Sequence, residues 1–240
     1  MISKIKKIIK ENRNFQKQQV TLLKELDWAN TYHDSIRGKA WLENLSLNVG
    51  RWAGNYSFFY VLNRVLYDYK PKRILEMGLG ESTKFISSYL EHYLLESSHV
   101  VIEHDINWKK TYLQAQSTST RTTIEICPLE QKTINNHPTN SYKGIANTIT
   151  TKFDLYVIDG PFGSSHYSRY DIVHLMDQFS KRDEFIIILD DYNRLGEQET
   201  AKDLLSILND KKIKTHTAVY AGSKSVLIIA TEKYKFVTSL

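Results

Sequence analysis

From Arg73 onward the chain alternates short apolar runs with stretches of helical period, and this alternation constrains the fold more than any other feature. The runs "RILEMG", "HVVIEHD", "TTIEIC", "FDLYVIDG" and "EFIIILDDY" are interleaved with "TKFISSYLEHYLL", "NWKKTYLQAQ", "SRYDIVHLMDQF" and "GEQETAKDLLSIL". Strands that are apolar on both faces belong to a parallel sheet covered by helices. The last two runs, "IKTHTAVYAG" and "KSVLIIATE", are joined by Ala221-Gly222-Ser223 and predict a terminal antiparallel hairpin. The polar, aperiodic stretch from Leu129 to Lys152 predicts a loop with at most a short helix.

Before Pro71 the texture differs. Ile2, Ile5, Ile9, Leu22, Leu23 and Leu26 recur at near-helical spacing, and "SFFYVLNRVLYDY" has the density of a buried helix. Residues 1–70 are therefore expected to form a helical cap and residues 71–240 the α/β domain. The cap brings Trp41, Trp52, Tyr56 and Phe58, which are expected either to close over a site or to pack against the sheet or a second subunit.

Of the 240 residues, 41% are hydrophobic and 25% charged, enough for one sizeable core. The formal charge of +5 is spread among many acids, unlike the dense basic stripe of a nucleic-acid binder. The single cysteine, Cys127, permits no internal disulfide and reads as a small core residue. "MISKIKKIIKENRNF" has no apolar core for a leader, and no run approaches the ~20 apolar residues of a membrane span. A cytoplasmic protein is expected, with a homo-oligomer through the N-terminal helices as one arrangement open to it.

In an open parallel sheet, ligands sit beyond the carboxyl ends of the strands, so chemistry is sought just after each apolar run. The first end holds Glu76, Gly78 and Gly80, then Ser82 and Thr83, which are placed to cap the next helix. A turn of this kind holds a dinucleotide, a phosphate or a sulfonium nucleoside; Thr83 stands where a dinucleotide fingerprint has its third glycine. The second end supplies Glu103, suited to a ribose hydroxyl pair, with Asp105 as the N-cap of the helix that follows. Asp159, Asp190 and Asp191 close two further runs. Carboxylates gathered at neighbouring strand ends repel one another without a cation, so this trio is a candidate Mg²⁺ site. Between them, "GPFGSSHYSRYD" carries His166 as a candidate general base and Arg169 as a candidate clamp for a substrate carboxylate; Arg194 and Glu197 share the same rim.

"ILEMGLGEST", "VVIEHDINW", "FDLYVIDGP" and "IIILDDYNR", in that order, resemble the class I S-adenosylmethionine-dependent methyltransferases over about Pro71 to Glu232. The resemblance implies a doubly wound, mostly parallel seven-stranded α/β sheet, a Rossmann-like methyltransferase fold whose last strand is reversed. Within that superfamily "VIDGP", the Tyr-Ser-Arg segment and "DDYNR" look most like glycan O-methyltransferases of the glucuronoxylan type. The placing of Asp159, Asp190 and Asp191 is also similar to metal-dependent catechol-type enzymes, except that those carry Asp-Asn where this chain has Asp190-Asp191. By resemblance, S-adenosylmethionine would meet Glu76, Gly78 and Gly80 at its methionine part and Glu103 at its ribose. Asp159 would then stand between the cofactor and a small-molecule or glycan acceptor. Two other readings are open on the residues: a non-catalytic nucleotide-binding or scaffold protein of the same fold, and a metal-dependent nucleotide-sugar transferase.

Overall fold

The computed structural model describes residues 2–240, with side chains from Lys4 onward; Met1 and the Ile2 side chain, which begins the N-terminal apolar spacing, lie outside the described residues. A long helix α1 (Ile2–Ile36) leads through a single turn α2 (Ala40–Glu43) to α3 (Tyr56–Arg64). Alternating units follow: β1 (Arg73–Met77), α4 (Glu81–His92), β2 (Ser98–Glu103), α5 (Ile106–Ala115) and β3 (Thr122–Ile126). After β4 (Leu129–Ile134), β5 (His137–Tyr142) and α6 (Ile145–Thr148) come β6 (Leu155–Ile158), α7 (Asp171–Leu175), β7 (Ile186–Leu189) and α8 (Leu195–Asp210). The hairpin β8 (Thr215–Ala221) and β9 (Ser225–Thr231) ends the sheet.

The seven strands lie in the order β3-β2-β1-β6-β7-β9-β8. All neighbours are parallel except β9, which runs antiparallel to both β7 and β8. The parallel sheet with its terminal hairpin is thus the one expected from the alternation, and the reversed strand near its edge is the one the resemblance implied.

Strand period explains how both faces are filled. Ile74, Leu155, Val157, Ile186, Ile188, Ile228 and Ala230 point to one side, where α3 and α4 cover them. Leu75, Met77, Tyr156, Ile158, Ile187, Leu189, Leu227 and Ile229 point to the other, against α7 and α8. Phe58, Phe59 and Leu62 of α3, with Tyr32 and Ile36 at the end of α1, belong to the first of these cores. The helical cap therefore shares its core with the sheet. The first half of α1 does not: every residue from Lys4 to Val20 is exposed, as are Leu22, Leu23 and Leu26.

One expectation is corrected. The stretch from Leu129 carries the antiparallel hairpin β4–β5 where a loop was expected. Its two-residue turn is Asn135-Asn136, with φ of 47° and 66°; this left-handed pair matches strand twist, and asparagine tolerates it. The weak alternation of "LEQKTI" and "HPTNSY" hides the strands, because this small sheet is covered only in part. Among the described residues no helix is long and apolar enough to cross a membrane.

Candidate functional site

The ends of β1, β2, β6 and β7 lie side by side because their ladders continue one residue past each strand. Gly78 N–H donates to Ile102 O, Asp159 N–H to Met77 O and Asp190 N–H to Ile158 O. The first and third ends touch through glycine. A Cβ on Gly160 would stand 2.9 Å from the Gly78 backbone and 2.5 Å from Tyr142 Oη, while Gly78 itself takes φ +101°. Gly80 differs: a Cβ there would meet nothing within 4 Å. Gly78 is therefore required for the close approach of two chain segments, and Gly80 faces the open side of the turn.

Glu76 and Ser82, expected to line the ligand or, for Ser82, to cap α4, support the turn from beneath, while Thr83 caps α4 as expected. The fully buried Glu76 carboxylate accepts from Ser82 Oγ and from Thr83 Oγ1 at 2.7 Å, and its Oε2 lies 3.1 Å from His99 Nε2. Thr83 Oγ1 in turn accepts the Gly80 N–H at 3.1 Å. These groups satisfy one another, and none presents a free polar atom to the rim.

Glu103 stands at the rim end of β2. Its Oε1 accepts the N–H groups of His104 and Asp105 at 2.7 and 2.8 Å, and its Oε2 accepts Leu79 N–H at 3.1 Å. Leu79 is the residue between the two glycines, so the carboxylate locks the turn to β2. Oε2 keeps a lone pair, which a hydroxyl can use. Asp105 caps α5 as expected, accepting from Asn107 and Trp108 N–H, and Trp108 Nε1 reaches back to Leu79 O at 2.8 Å.

Asp159, Asp190 and Asp191 converge, with carboxylate oxygens within 4.8 Å of one another. The cation among them is a side chain. Arg169, 4% exposed, places Nη2 3.0 Å from Asp159 Oδ1 and 2.7 Å from Asp191 Oδ2, and its Nη1 donates to Asp190 O at 2.9 Å. Lys224 Nζ lies 3.3 Å from Asp191 Oδ1 and 3.8 Å from Asp190 Oδ2, and Arg194 Nη1 lies 3.1 Å from Asp191 Oδ2. Buried Glu197 completes the cluster, 3.7 Å from Arg169 Nε. The expectation of Arg169 as a substrate clamp is corrected: its guanidinium is buried and consumed by these acids. The same geometry argues against Mg²⁺ on Asp159, Asp190 and Asp191. A divalent ion would have to displace Arg169 from a seat it shares with two carboxylates and a carbonyl, and three cationic side chains already answer the charge.

The acids divide by environment. Burial and the neighbouring Asp190 and Asp191 push Asp159 up to about 8 in spite of Arg169. Burial and Asp191 also raise Asp190, whose two oxygens have no hydrogen-bond partner. Asp191 is lowered, because Arg169, Lys224 and Arg194 outweigh its burial. Only Asp159 reaches the surface, with 19% of its side chain exposed against 0% and 4% for the other two.

His166 is not part of this group. Its Nδ1 lies 3.0 Å from Glu199 Oε1 on α8, and its ring stacks on His137 of β5 at 3.9 Å. Among the described residues no hydrogen bond or ion pair joins it to Asp159, and its carboxylate partner is Glu199. The loop that carries it is braced by the unforeseen hairpin: Ser164 Oγ accepts Asn140 N–H, and Thr139 Oγ1 donates to Tyr167 O.

One contribution was missed from sequence. Lys224, in the β8–β9 turn, reaches the acidic cluster from a distant part of the chain. The segment between α2 and α3 spans the rim: Asn48 N–H donates to Glu81 Oε2 on the glycine-turn side, and Lys224 Nζ donates to Ala53 O on the acidic side. It presents Trp52, 93% exposed, whereas Phe58 is buried and Trp41 stacks on His92. Across the rim Phe162 is also exposed and packs its edge against His104.

No protein-family model matches the chain, and no curated protein matches it in sequence. Solved structures match in fold. Cofactor-bound Rv0187 from MTB superposes with a TM-score of 0.50 at 12% identity, covering 86% of this chain and 88% of that one. SAH-bound methyltransferase PaMTH1 of Podospora anserina gives 0.47 at 13% identity over 90% and 95% of the two chains. An O-methyltransferase from Bacillus cereus in complex with SAH gives 0.45 at 12% identity over 85% and 91%. At these identities the likeness is one of fold, and the doubly wound Rossmann-like architecture is shared with cofactor-bound Rv0187.

Proposed function

We propose that this chain is an S-adenosylmethionine-dependent O-methyltransferase acting on a hydroxyl of a sugar or polysaccharide precursor. One observation carries the reading: the Gly78-Leu79-Gly80 turn is tied by Leu79 N–H to Glu103 at the rim, with the partly exposed Asp159 carboxylate at the adjoining strand end. The open side of Gly80 fits a ligand that needs close backbone approach, and the remaining lone pair of Glu103 Oε2 fits a ribose hydroxyl.

Bound S-adenosylmethionine supplies an activated methyl group on its sulfonium. The protein's share is alignment, exclusion of water and removal of a proton from the acceptor. Asp159, with its raised proton affinity, takes the hydroxyl proton on its exposed side. Arg169 holds it in place from the buried side. The exposed faces of Trp52 and Phe162 suit the apolar face of a sugar ring. Arg194, half exposed beside Asp191, is the guanidinium left to meet an acceptor carboxylate. No step is routed through a metal, because Arg169 occupies the place a cation would take.

The Asp159–Arg169 pair also favours a second reading, a nucleotide-binding protein of the same fold without turnover. Calorimetric titration with S-adenosylmethionine and S-adenosylhomocysteine tests both. Absence of binding at millimolar ligand sinks the methyltransferase and leaves the second reading; binding without methyl transfer to any hydroxyl acceptor also leaves the second.

A further inference from the structure

The first half of α1 carries the chain's entire charge imbalance. Between Met1 and Val20, Lys4, Lys6, Lys7, Lys10, Arg13 and Lys17 stand against Glu11 alone, a formal +5 equal to that of the whole chain. The remaining residues are balanced.

The same helix is apolar on one side from Ile5 to Leu26. Ile5, Ile8, Ile9, Phe15, Leu23 and Leu26 fall on a common face at spacings that keep returning to it, and all are exposed. Asn12, Gln16 and Gln19 fill the positions between them, so the face is free of charge for roughly 33 Å. It points away from the body of the molecule. The positions through which α1 docks, Glu25, Trp28, Tyr32 and Ile36, recur in steps of three and four on the opposite side. Glu25 fixes that docking by accepting from Asn55, Tyr56 N–H and Ser223 N–H. The fold itself therefore cannot cover the apolar face.

We infer that α1 is an interfacial helix that lays this face into the headgroup region of an anionic lipid surface. Such a surface satisfies both sides of the helix at once, with apolar depth beneath Ile5, Ile9 and Phe15 and negative headgroups beside the flanking lysines. A second copy of the chain covers the apolar face equally well but brings a second cationic segment against the first. Charge complementarity thus decides for lipid over self-pairing.

Vesicle flotation with the full chain tests this, comparing phosphatidylcholine vesicles with vesicles that also contain phosphatidylglycerol. Binding is expected to be at least about tenfold stronger to the anionic vesicles and to weaken with added salt. Lys6→Glu with Lys10→Glu should abolish the preference for anionic lipid. Ile5→Asp with Ile9→Asp should abolish flotation altogether. Neither double variant should shift the thermal midpoint, because these side chains are exposed and touch nothing in the core. Absence of flotation on anionic vesicles overturns the inference, as does undiminished flotation of the Ile5→Asp/Ile9→Asp variant. A chain indifferent to lipid, but dimeric in the ultracentrifuge until Ile5 and Ile9 are replaced, assigns the face to a second copy and likewise overturns it.

Discussion

Arg169 and Asp191 form a buried ion pair, Nη2 to Oδ2 2.7 Å, and both hold left-handed backbone, with φ of 58° and 57°. Two non-glycine residues in that region cost on the order of 1 kcal/mol or more each, and the pair they make is what holds them there. Arg169→Met removes the counter-charge and leaves Asp159, Asp191 and Glu197 facing one another. Urea unfolding is expected to show a loss of about 3–5 kcal/mol. Arg169→Lys should recover only part of it, because an ammonium cannot span both carboxylates and the Asp190 carbonyl.

Asp190 is the opposite case. Its carboxylate is fully buried, its oxygens have no hydrogen-bond donor, and burial with the Asp191 charge raises its proton affinity. A carboxyl whose folded-state pKa is raised binds more protons folded than unfolded, so stability falls as pH climbs from the ordinary carboxylate value toward the raised one. Asp190→Asn keeps the shape and removes that dependence. Melts across pH should find the variant more stable than the parent at alkaline pH. The gap should close below the ordinary carboxylate range of about 4.

Gly160 and Gly80 separate structure from binding. At Gly160 a Cβ meets the Gly78 backbone at 2.9 Å, which cannot yield, so Gly160→Ala should lower stability by about 1–3 kcal/mol and weaken any ligand held by the turn. At Gly80 the extended backbone accepts alanine, and nothing of the protein lies within 4 Å. Gly80→Ala should leave the melting temperature unchanged and weaken S-adenosylhomocysteine binding. Unaltered affinity would remove the turn from the proposed cofactor site.

The sheet was legible because its central strands are buried on both faces, which makes runs such as Ile186 to Leu189 conspicuous. The β8–β9 hairpin was legible because Ala221-Gly222-Ser223 leaves room only for a tight turn, whereas the reversal of β9 against the sheet came only from the resemblance. Strand ends were legible too, since Glu103, Asp159 and Asp190 each follow an apolar run directly, with Asp191 next in the chain. What could not be read was the direction and partner of each side chain there. Glu76 turns beneath the glycine turn to Ser82 and Thr83, and Arg169 turns inward to Asp159 and to Asp191 beyond a different strand. Lys224 is brought to the same cluster by a hairpin, and no local pattern marks it. The β4–β5 hairpin gave one signal, Asn135-Asn136, but its half-covered strands lack the alternation that would have made the turn persuasive.

Trp52 tests the acceptor independently of the cofactor. It is 93% exposed in a segment anchored at both ends of the rim, through Asn48 and Ala53, so its removal opens no cavity. Trp52→Ala should leave thermal stability and S-adenosylhomocysteine affinity unchanged and raise the KM for a sugar acceptor about tenfold, the worth of one aromatic stacking contact. Equal KM in parent and variant would place the acceptor elsewhere.

Asp159 carries the proposed chemistry. Its pKa of about 8 means that the form able to accept a hydroxyl proton grows as pH rises toward that value, so turnover should climb through this window and level off above it. Asp159→Asn keeps the contact geometry but accepts no proton. It should lower kcat by about 10²–10⁴-fold while leaving S-adenosylmethionine affinity nearly unchanged, and the remaining rate should lose its rise with pH. The same assay settles the cation. With Arg169 seated between Asp159 and Asp191, exhaustive chelation should leave turnover as it was. Loss of activity on chelation, restored by Mg²⁺, would mean that Arg169 withdraws in the working enzyme and that the three aspartates hold a metal after all.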